Sequence, residues 1–409
     1  MTELRPADSP SLLRRINSSV ALDAIRTSGP MSRAALSRIT GLSKPTITQV
    51  ADRLLESGWV EELAPSDAPA RPGRKAALLR FRAELGYVVG VDIGGEKVLA
   101  LVSDLSGSVV GRASESLGKD PRRCDVLTAA RRSVAAALTS AGLQAEDVRV
   151  LAVGTPGVID PVTGAVSLAP QIEGWDGTRL REEFSDIVSC PVLVDNESSL
   201  SLLAESWRGA ARGYRHVAFI QVGIGIGGAL LIDGKVYGGR GGAAGEIGYL
   251  VDDDGRDEVP PHVGAFEWRA GGRAYSRLGA EAARRPSGKR LLALAGGDPE
   301  NVSAELVFEA ARAGDRAARA VVDELTRRLG RGVANMASVL DPELVLIGGG
   351  LSGAGSALLD PVARAVGELT AGSAEVALSE LGAEATALGA VKMALNAADA
   401  LIFNPAAAS

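Results

Sequence analysis

Cysteine and histidine are nearly missing from this chain. Cys124 and Cys190 are its only thiols, and His216 and His262 its only imidazoles. Two cysteines cannot build a disulfide framework, so a reducing cytoplasm is the expected setting. So few of these side chains also leave little with which to close a metal site. No run approaches the ~20 apolar residues that a spanning helix needs. The opening stretch MTELRPADSPSLLRR has none of the apolar core of a signal peptide. No membrane partner is expected.

What is present is ordinary in bulk and uneven in detail. The 409 residues suffice for two or three domains, and 46% hydrophobic with 23% charged content suits a globular protein. The net charge of −6 is not evenly shared. Residues 1–86 carry 13 Lys and Arg against 9 Asp and Glu, and the rest carries 31 against 41. A basic front on an acidic body points to nucleic acid at one end, although a solvated helix face can carry the same small excess.

The clearest break is APSDAPARPGRKAALL, Ala64 to Leu79. Before it the pattern is helical. MSRAALSRITGLSKPTITQVADRLLESGWVEEL looks like a winged helix-turn-helix. Ala34, Ala35, Leu36 and Ile39 offer an apolar face, Gly41 the turn, and Ser43 with Pro45 the start of a second helix. Ile47, Val50, Leu54 and Leu55 form its inward stripe. Lys44, Thr46, Thr48, Gln49 and Arg53 then point outward, where a recognition helix reaches bases and phosphates in the major groove. Arg71, Arg74 and Lys75 fall on or just after the wing, suited to phosphate or minor-groove contact. A small helical bundle used for protein contact is the alternative.

After residue 86 the chain reads as strands around Gly turns, in the order β-β-β-α-β-α, which recurs loosely from about His216. Two related α/β lobes around a cleft are the natural architecture. The stretch CPVLVDNESSLSLLAE, Cys190 to Glu205, places Asp195, Asn196 and Glu197 at the C-terminal end of a strand, where α/β proteins bind ligands.

VVGVDIGGEKVLALVSDLSG, GTPGVIDPVTG, QVGIGIGGALLIDGKVYGGRGGAAGEIGY, GAFE and NMASVLDPELVLIGGGLS follow in this order. With the winged helix they resemble the ROK family of repressors, uncharacterised reading frames and kinases, over essentially the whole chain. The resemblance implies an α/β chain with a winged helix-turn-helix over residues 1–82. A two-lobed actin-like, hexokinase-like ATPase fold follows over 83–409. Its small lobe spans about 83–195 plus a C-terminal helix of about 390–409, and its large lobe about 196–389.

Three departures from the kinase pattern decide which kind of member to expect. Where kinases read DIGGTK, with the Thr hydroxyl facing ATP phosphates, this chain has Glu96, which adds like-charge repulsion. Where they read GTGIG, it has Gly223-Ile224-Gly225-Ile226-Gly227, again without the hydroxyl. Where VENDANAAALAE supplies an Asp general base, it has Glu197, one methylene longer, and displacement of a base by roughly an ångström can cost ~100-fold in rate. The usual GEIGH with a following cysteine cluster is here GEIGY without cysteine. Neither a structural zinc nor any other metal or cofactor is expected.

The resemblance also implies a sugar pocket, with Asn196, Glu197, Glu246 and Glu267 on the hydroxyls and Tyr249 replacing a sugar-contacting His. Gly157 is expected to let backbone approach the ligand, and Gln171 to stand near Trp175 where an Asn is usual. Each carboxylate has a plainer use: Glu246 paired with Arg240, Glu267 or Glu197 capping a helix. The expectation is a regulator of carbohydrate metabolism, usually a repressor in this family, without kinase activity. Its partners would be a double-stranded operator, a sugar or sugar derivative, and further copies in a homodimer or homotetramer. A DNA-binding sugar kinase is the alternative.

Overall fold

The computed structural model describes residues 9–63, 77–118, 121–251 and 259–403. The first module holds α1 (Ser9–Ser28), β1 (Met31–Ser32), α2 (Arg33–Thr40), α3 (Lys44–Glu56), β2 (Val60–Leu63) and β3 (Leu78–Phe81). The strands form an antiparallel sheet in the order β1-β3-β2. Ser43 caps α3 by accepting from the Thr46 amide, with Pro45 in the first turn, and Gly41 closes α2 at φ 71°. Ile47, Val50, Ala51 and Leu54 are buried on α3, and Leu55 is half-buried. The apolar face expected on α2 is narrower than its sequence implies. Leu36 is buried and Ala35 half-buried, but Ala34 and Ile39 are exposed, because an eight-residue helix crossing its neighbours near Leu36 covers about one turn. Arg71, Arg74 and Lys75 lie outside the described residues.

The first lobe has β4 (Tyr87–Ile93), β5 (Lys97–Asp104), β6 (Val109–Ser116), α4 (Arg123–Ser140), β7 (Val148–Thr155), the hairpin of β8 (Val158–Ile159) and β9 (Val166–Ser167), α5 (Leu180–Glu183) and β10 (Val192–Asn196). The helix α6 (Glu197–Arg208) leads out of it. The second lobe has β11 (Val217–Val222), β12 (Ile226–Ile232), β13 (Lys235–Val236), α7 (Ala265–Ala270), α8 (Gly272–Ala283), α9 (Lys289–Leu294), α10 (Ala304–Arg312), α11 (Arg316–Leu340), β14 (Leu344–Gly348), α12 (Ser356–Leu369) and β15 (Glu375–Leu378). The last helix is α13 (Ala385–Phe403).

Both lobes repeat one topology. The sheets run β10-β7-β4-β5-β6 and β13-β12-β11-β14-β15: an antiparallel meander of three strands, then two strands parallel to its first. The recurrence is visible in the sheets although no short repeat marks it in the residues. Strands buried on both faces explain the unbroken apolar runs of β4, β5 and β7.

Two helices join the parts. The helix α13, which begins at Ala385, ahead of the stretch expected from Ala390, packs on β4 and β7 and along α6. Gly389 lies against the Leu200 carbonyl with no room for a side chain, so the two backbones meet directly. On α6, Leu200 packs with the first lobe and Leu202 with Phe219 and Ala229 of the second. One apolar cluster runs from Ile25, Leu36 and Ile47 of the winged helix to Leu101, Val391 and Leu395. Arg26 of α1 donates to both oxygens of Asp399 on α13, at 2.7 and 2.9 Å.

Candidate functional site

A cavity of about 1180 Å³ opens between the two sheets. It is lined by the turn after β4, the loop after β7, the first turn of α6, the β11–β12 turn, and the starts of α7 and α8. Gly157, Gln171, Asn196, Glu197, Glu246, Tyr249 and Glu267 all border it. These residues come from distant segments of both lobes and line a single cavity.

Asn196 is the N-cap of α6. Its Oδ1 accepts from the Ser198 and Ser199 amides at 2.8 and 3.3 Å, and its Nδ2 donates to the Gly157 carbonyl at 2.9 Å. The capping role considered for Glu197 therefore belongs to its neighbour, and Glu197 is free to face the cavity from the first helical position. Asn196 keeps one N–H beyond these bonds.

Glu197 is half-buried beside Asp92, Glu246 and Glu267. Burial, with the three neighbouring carboxylates, pushes its pKa up to about 8. Burial raises Asp92, only 7% exposed, to about 7, opposed by Lys97. Glu246 is raised by burial and then by Glu267. Glu267 is raised by burial, against the Ile226 amide, which donates to its Oε2 at 3.4 Å, and against Arg273. The plainer uses are not realised: no Glu246–Arg240 ion pair forms among the described residues, and Glu267 sits in the first turn of α7 without capping it. Near neutrality this wall is a set of closely spaced carboxyls, some protonated, able both to accept and to donate.

Two of these residues also make contacts within the protein. Gly157 adopts φ 93° and its α-carbon lies against the Ser167 carbonyl, so its missing side chain accommodates the β8–β9 hairpin, and its own carbonyl is taken by Asn196. Tyr249 donates its hydroxyl to the His262 carbonyl at 3.2 Å and is 39% exposed at the rim. Gln171 is half-buried against Gly95 with its Oε1 unpartnered. Trp175 is wholly buried and donates to Thr155 Oγ1 at 2.8 Å. Among the described residues no group of three or more His, Cys, Asp or Glu could hold a metal ion.

Asp92 was missed in the sequence, although VDIGG places it one turn from Glu96. Glu96 and Ile224 are exposed on the cleft wall. On the winged helix, Lys44, Thr48, Gln49 and Arg53 are exposed on one side of α3. Two hydroxyls are already engaged there: Thr46 with Ser43 Oγ at 2.8 Å, and Thr48 donating to the Lys44 carbonyl at 3.1 Å. Among the described residues no helix is long and apolar enough to cross a membrane.

Residues 88–397 match the model of the ROK family, and residues 16–71 that of the MarR family. The chain is a member of the ROK family. It pairs the ROK actin-like, hexokinase-like fold with an N-terminal winged helix-turn-helix. It is 26% identical over 394 residues to a xylose repressor of Caldicellulosiruptor bescii, covering 94% of this chain and 97% of that one. A crystal structure of a ROK transcriptional regulator, described as a homologue of the E. coli MLC protein, superposes with TM-score 0.76 at 25% identity, over 95% of this chain and 98% of that one. Kinases match less of it. A Streptomyces coelicolor glucokinase is 31% identical over 76% of this chain and 98% of its own. The Streptomyces griseus ROK glucokinase, solved with glucose and AMPPNP, gives TM-score 0.67 at 31% identity over 75% and 99%. The regulators thus align with the winged helix and ROK body together.

Proposed function

We propose that this ROK protein is a transcriptional regulator, a repressor of carbohydrate genes, that senses a sugar or sugar derivative between its lobes and does not phosphorylate it. The observation that carries this reading is the unequal state of the cleft. Asn196, Glu246 and Glu267 line the cavity and offer polar groups to a sugar's hydroxyls, while Glu96 and Ile224, exposed on its wall, bring a carboxylate and an alkyl chain where the kinase pattern has hydroxyls. The xylose repressor and MLC-like regulator, aligned over nearly the whole chain, support the repressor role.

Ligand binding between the lobes biases their closure by the difference in affinity for the open and closed forms. The helices α6 and α13 carry that change toward α1. The test is gel-shift titration of the purified protein on the DNA upstream of its own gene, with and without a panel of pentoses, hexoses and their derivatives. An operator affinity that no sugar alters would sink the proposal. The second reading, a DNA-binding sugar kinase, is favoured by the glucokinase relatives and by a carboxyl at the base position. It requires sugar-dependent ADP release in ATP and Mg²⁺ that disappears in Glu197→Gln. The expected result is none.

A further inference from the structure

Not all of the cavity wall is polar. Among the large apolar side chains that line it, Phe219, Ile226, Val302 and Leu351 are buried, whereas Leu168, Ile224 and Tyr249 are exposed. Ile224 sits in the β11–β12 turn, but Leu168 and Tyr249 belong together. Leu168 follows β9 in the first lobe, and the amide of the next residue, Ala169, donates to Asp176 Oδ1 at 3.1 Å. Tyr249, in the second lobe, lies near enough to the same carboxylate to feel its charge: its hydroxyl pKa is raised by burial, then by Glu267, Glu246 and Asp176. The pair therefore flanks the end of the cavity that holds Glu246 and Glu267, one residue from each lobe.

Leu168 holds its place at a cost. Its φ of 56° lies in the left-handed region, where a Cβ crowds the backbone carbonyl oxygen. Its neighbours fix that conformation: the Ser167 carbonyl packs on Gly157, and Ala169 is buried with its amide bonded. Glycine would make the same turn without strain. A leucine so placed and 41% exposed adds little to the core, so the use of its side chain lies in the cavity. Tyr249 is held by its far end, since its hydroxyl donates to the His262 carbonyl at 3.2 Å. With that donor engaged, the ring face is what it offers a ligand, and such a face takes flat apolar groups. At about 1180 Å³ the cavity has room for such a group beside a sugar ring.

We infer that Leu168 and Tyr249 form an apolar subsite beside Glu246 and Glu267, and that the effector is a glycoside with an apolar aglycone rather than a free sugar. This rests on the sugar-sensing reading for the sugar ring, but the apolar end can be tested alone. Full-length protein is titrated with D-glucose and D-xylose, each as the free sugar, the methyl glycoside and the phenyl glycoside in both anomers, and with phenol by itself. Calorimetry gives affinities, and saturation-transfer NMR reports which ligand protons touch the protein. At least one phenyl glycoside is expected to bind about 10-fold or more tighter than its methyl counterpart, with the strongest transfer to the ring protons of the phenyl group. In Leu168→Gly that ratio should fall close to one while the melting temperature does not fall, because glycine relieves the strain; a purely structural leucine would not separate the two readouts. Tyr249→Ala should lower the ratio as well. Val162→Ala, an exposed apolar residue of the same hairpin that does not line the cavity, should leave it unchanged. Phenyl transfer that is lost in Leu168→Gly and is the same with phenol as with any glycoside would support the apolar subsite while defeating the sugar-sensing reading. A free sugar that binds as tightly as its phenyl glycoside, or an equal ratio in wild type and Leu168→Gly, would overturn the subsite and leave the sugar-sensing reading standing. Silence from every phenyl probe would overturn the subsite outright.

Discussion

Asn196 donates to the carbonyl of Gly157 across 2.9 Å, joining the first turn of α6 to the loop after β7 at the floor of the cleft. The same side chain caps α6 through Ser198 and Ser199. One residue thus holds a helix end and one wall of the pocket. Asn196→Ala removes both functions and is expected to destabilise by about 1–2 kcal/mol, the range of an N-cap loss plus a buried bond. Asn196→Asp keeps the cap acceptor but cannot donate to Gly157. Its stability should lie between the two while ligand affinity falls, and urea denaturation with calorimetry separates these effects. An Asp variant that binds ligand as the wild type does would show that the Gly157 contact positions nothing.

The carboxyl wall predicts a pH dependence of definite sign. Burial raises Glu197 to about 8 and Asp92 to about 7, far above their unfolded values. Between roughly pH 4 and the folded values, the native state binds more protons than the unfolded chain, so stability falls as pH rises. Thermal melts should give a lower Tm at pH 8.5 than at pH 6. Glu197→Gln and Asp92→Asn should flatten that decline, and a decline of equal slope in both variants would assign it elsewhere.

On the DNA side, Lys44, Gln49 and Arg53 are exposed on α3 with no side-chain partner among the described residues. Lys44→Ala is expected to weaken binding to all sequences and to lower the salt slope by about one. Gln49→Ala should leave non-specific binding unchanged and relax preference at one or two base pairs, at about 1–3 kcal/mol of discrimination. Thr46→Val and Thr48→Val should matter less, because their hydroxyls are engaged within α3. Binding to a randomised operator library distinguishes these outcomes.

Much of this was legible in the residues, and the exceptions have physical causes. Capping and turn chemistry are local, so Ser43 as the cap of α3 and Gly41 as the turn after α2 read directly. Gly-rich turns in order were enough for the fold. What could not be read was the use of a side chain that has two. Asn196 looked like a ligand contact and is first a helix cap. Gly157 lines the cavity, and its missing side chain also makes room for the Ser167 carbonyl. Asp92 was passed over because its importance comes from Glu197, more than a hundred residues away. The face of α2 was overestimated because spacing gives direction but not how far a neighbouring helix reaches.

The contact of Arg26 with Asp399 gives the sharpest test of how the cleft speaks to the DNA-binding module. The helix α6 begins in the pocket at Glu197 and lies along α13, where Ser201 Oγ and Thr386 Oγ1 meet at 3.0 Å. At the far end, Trp207 of α6 lies under Lys392 of α13, and Asp399 holds α1. If ligand in the proposed pocket shifts α6, these contacts make α13 the packed route by which the shift would reach α1. Asp399→Ala leaves Arg26 with Asp23 alone. The pair is partly exposed, so its loss should cost little global stability. Sugar binding should persist, since the pocket is untouched, and operator binding should persist, since α3 is untouched. What should shrink is the factor by which ligand changes operator affinity, a coupling typically of 5–150-fold. Measuring operator affinity with and without saturating ligand in wild type, Asp399→Ala and Asp399→Glu reads that factor directly. Full coupling in the alanine variant would mean that the signal travels through the shared apolar cluster of Ile25 and Val391 instead.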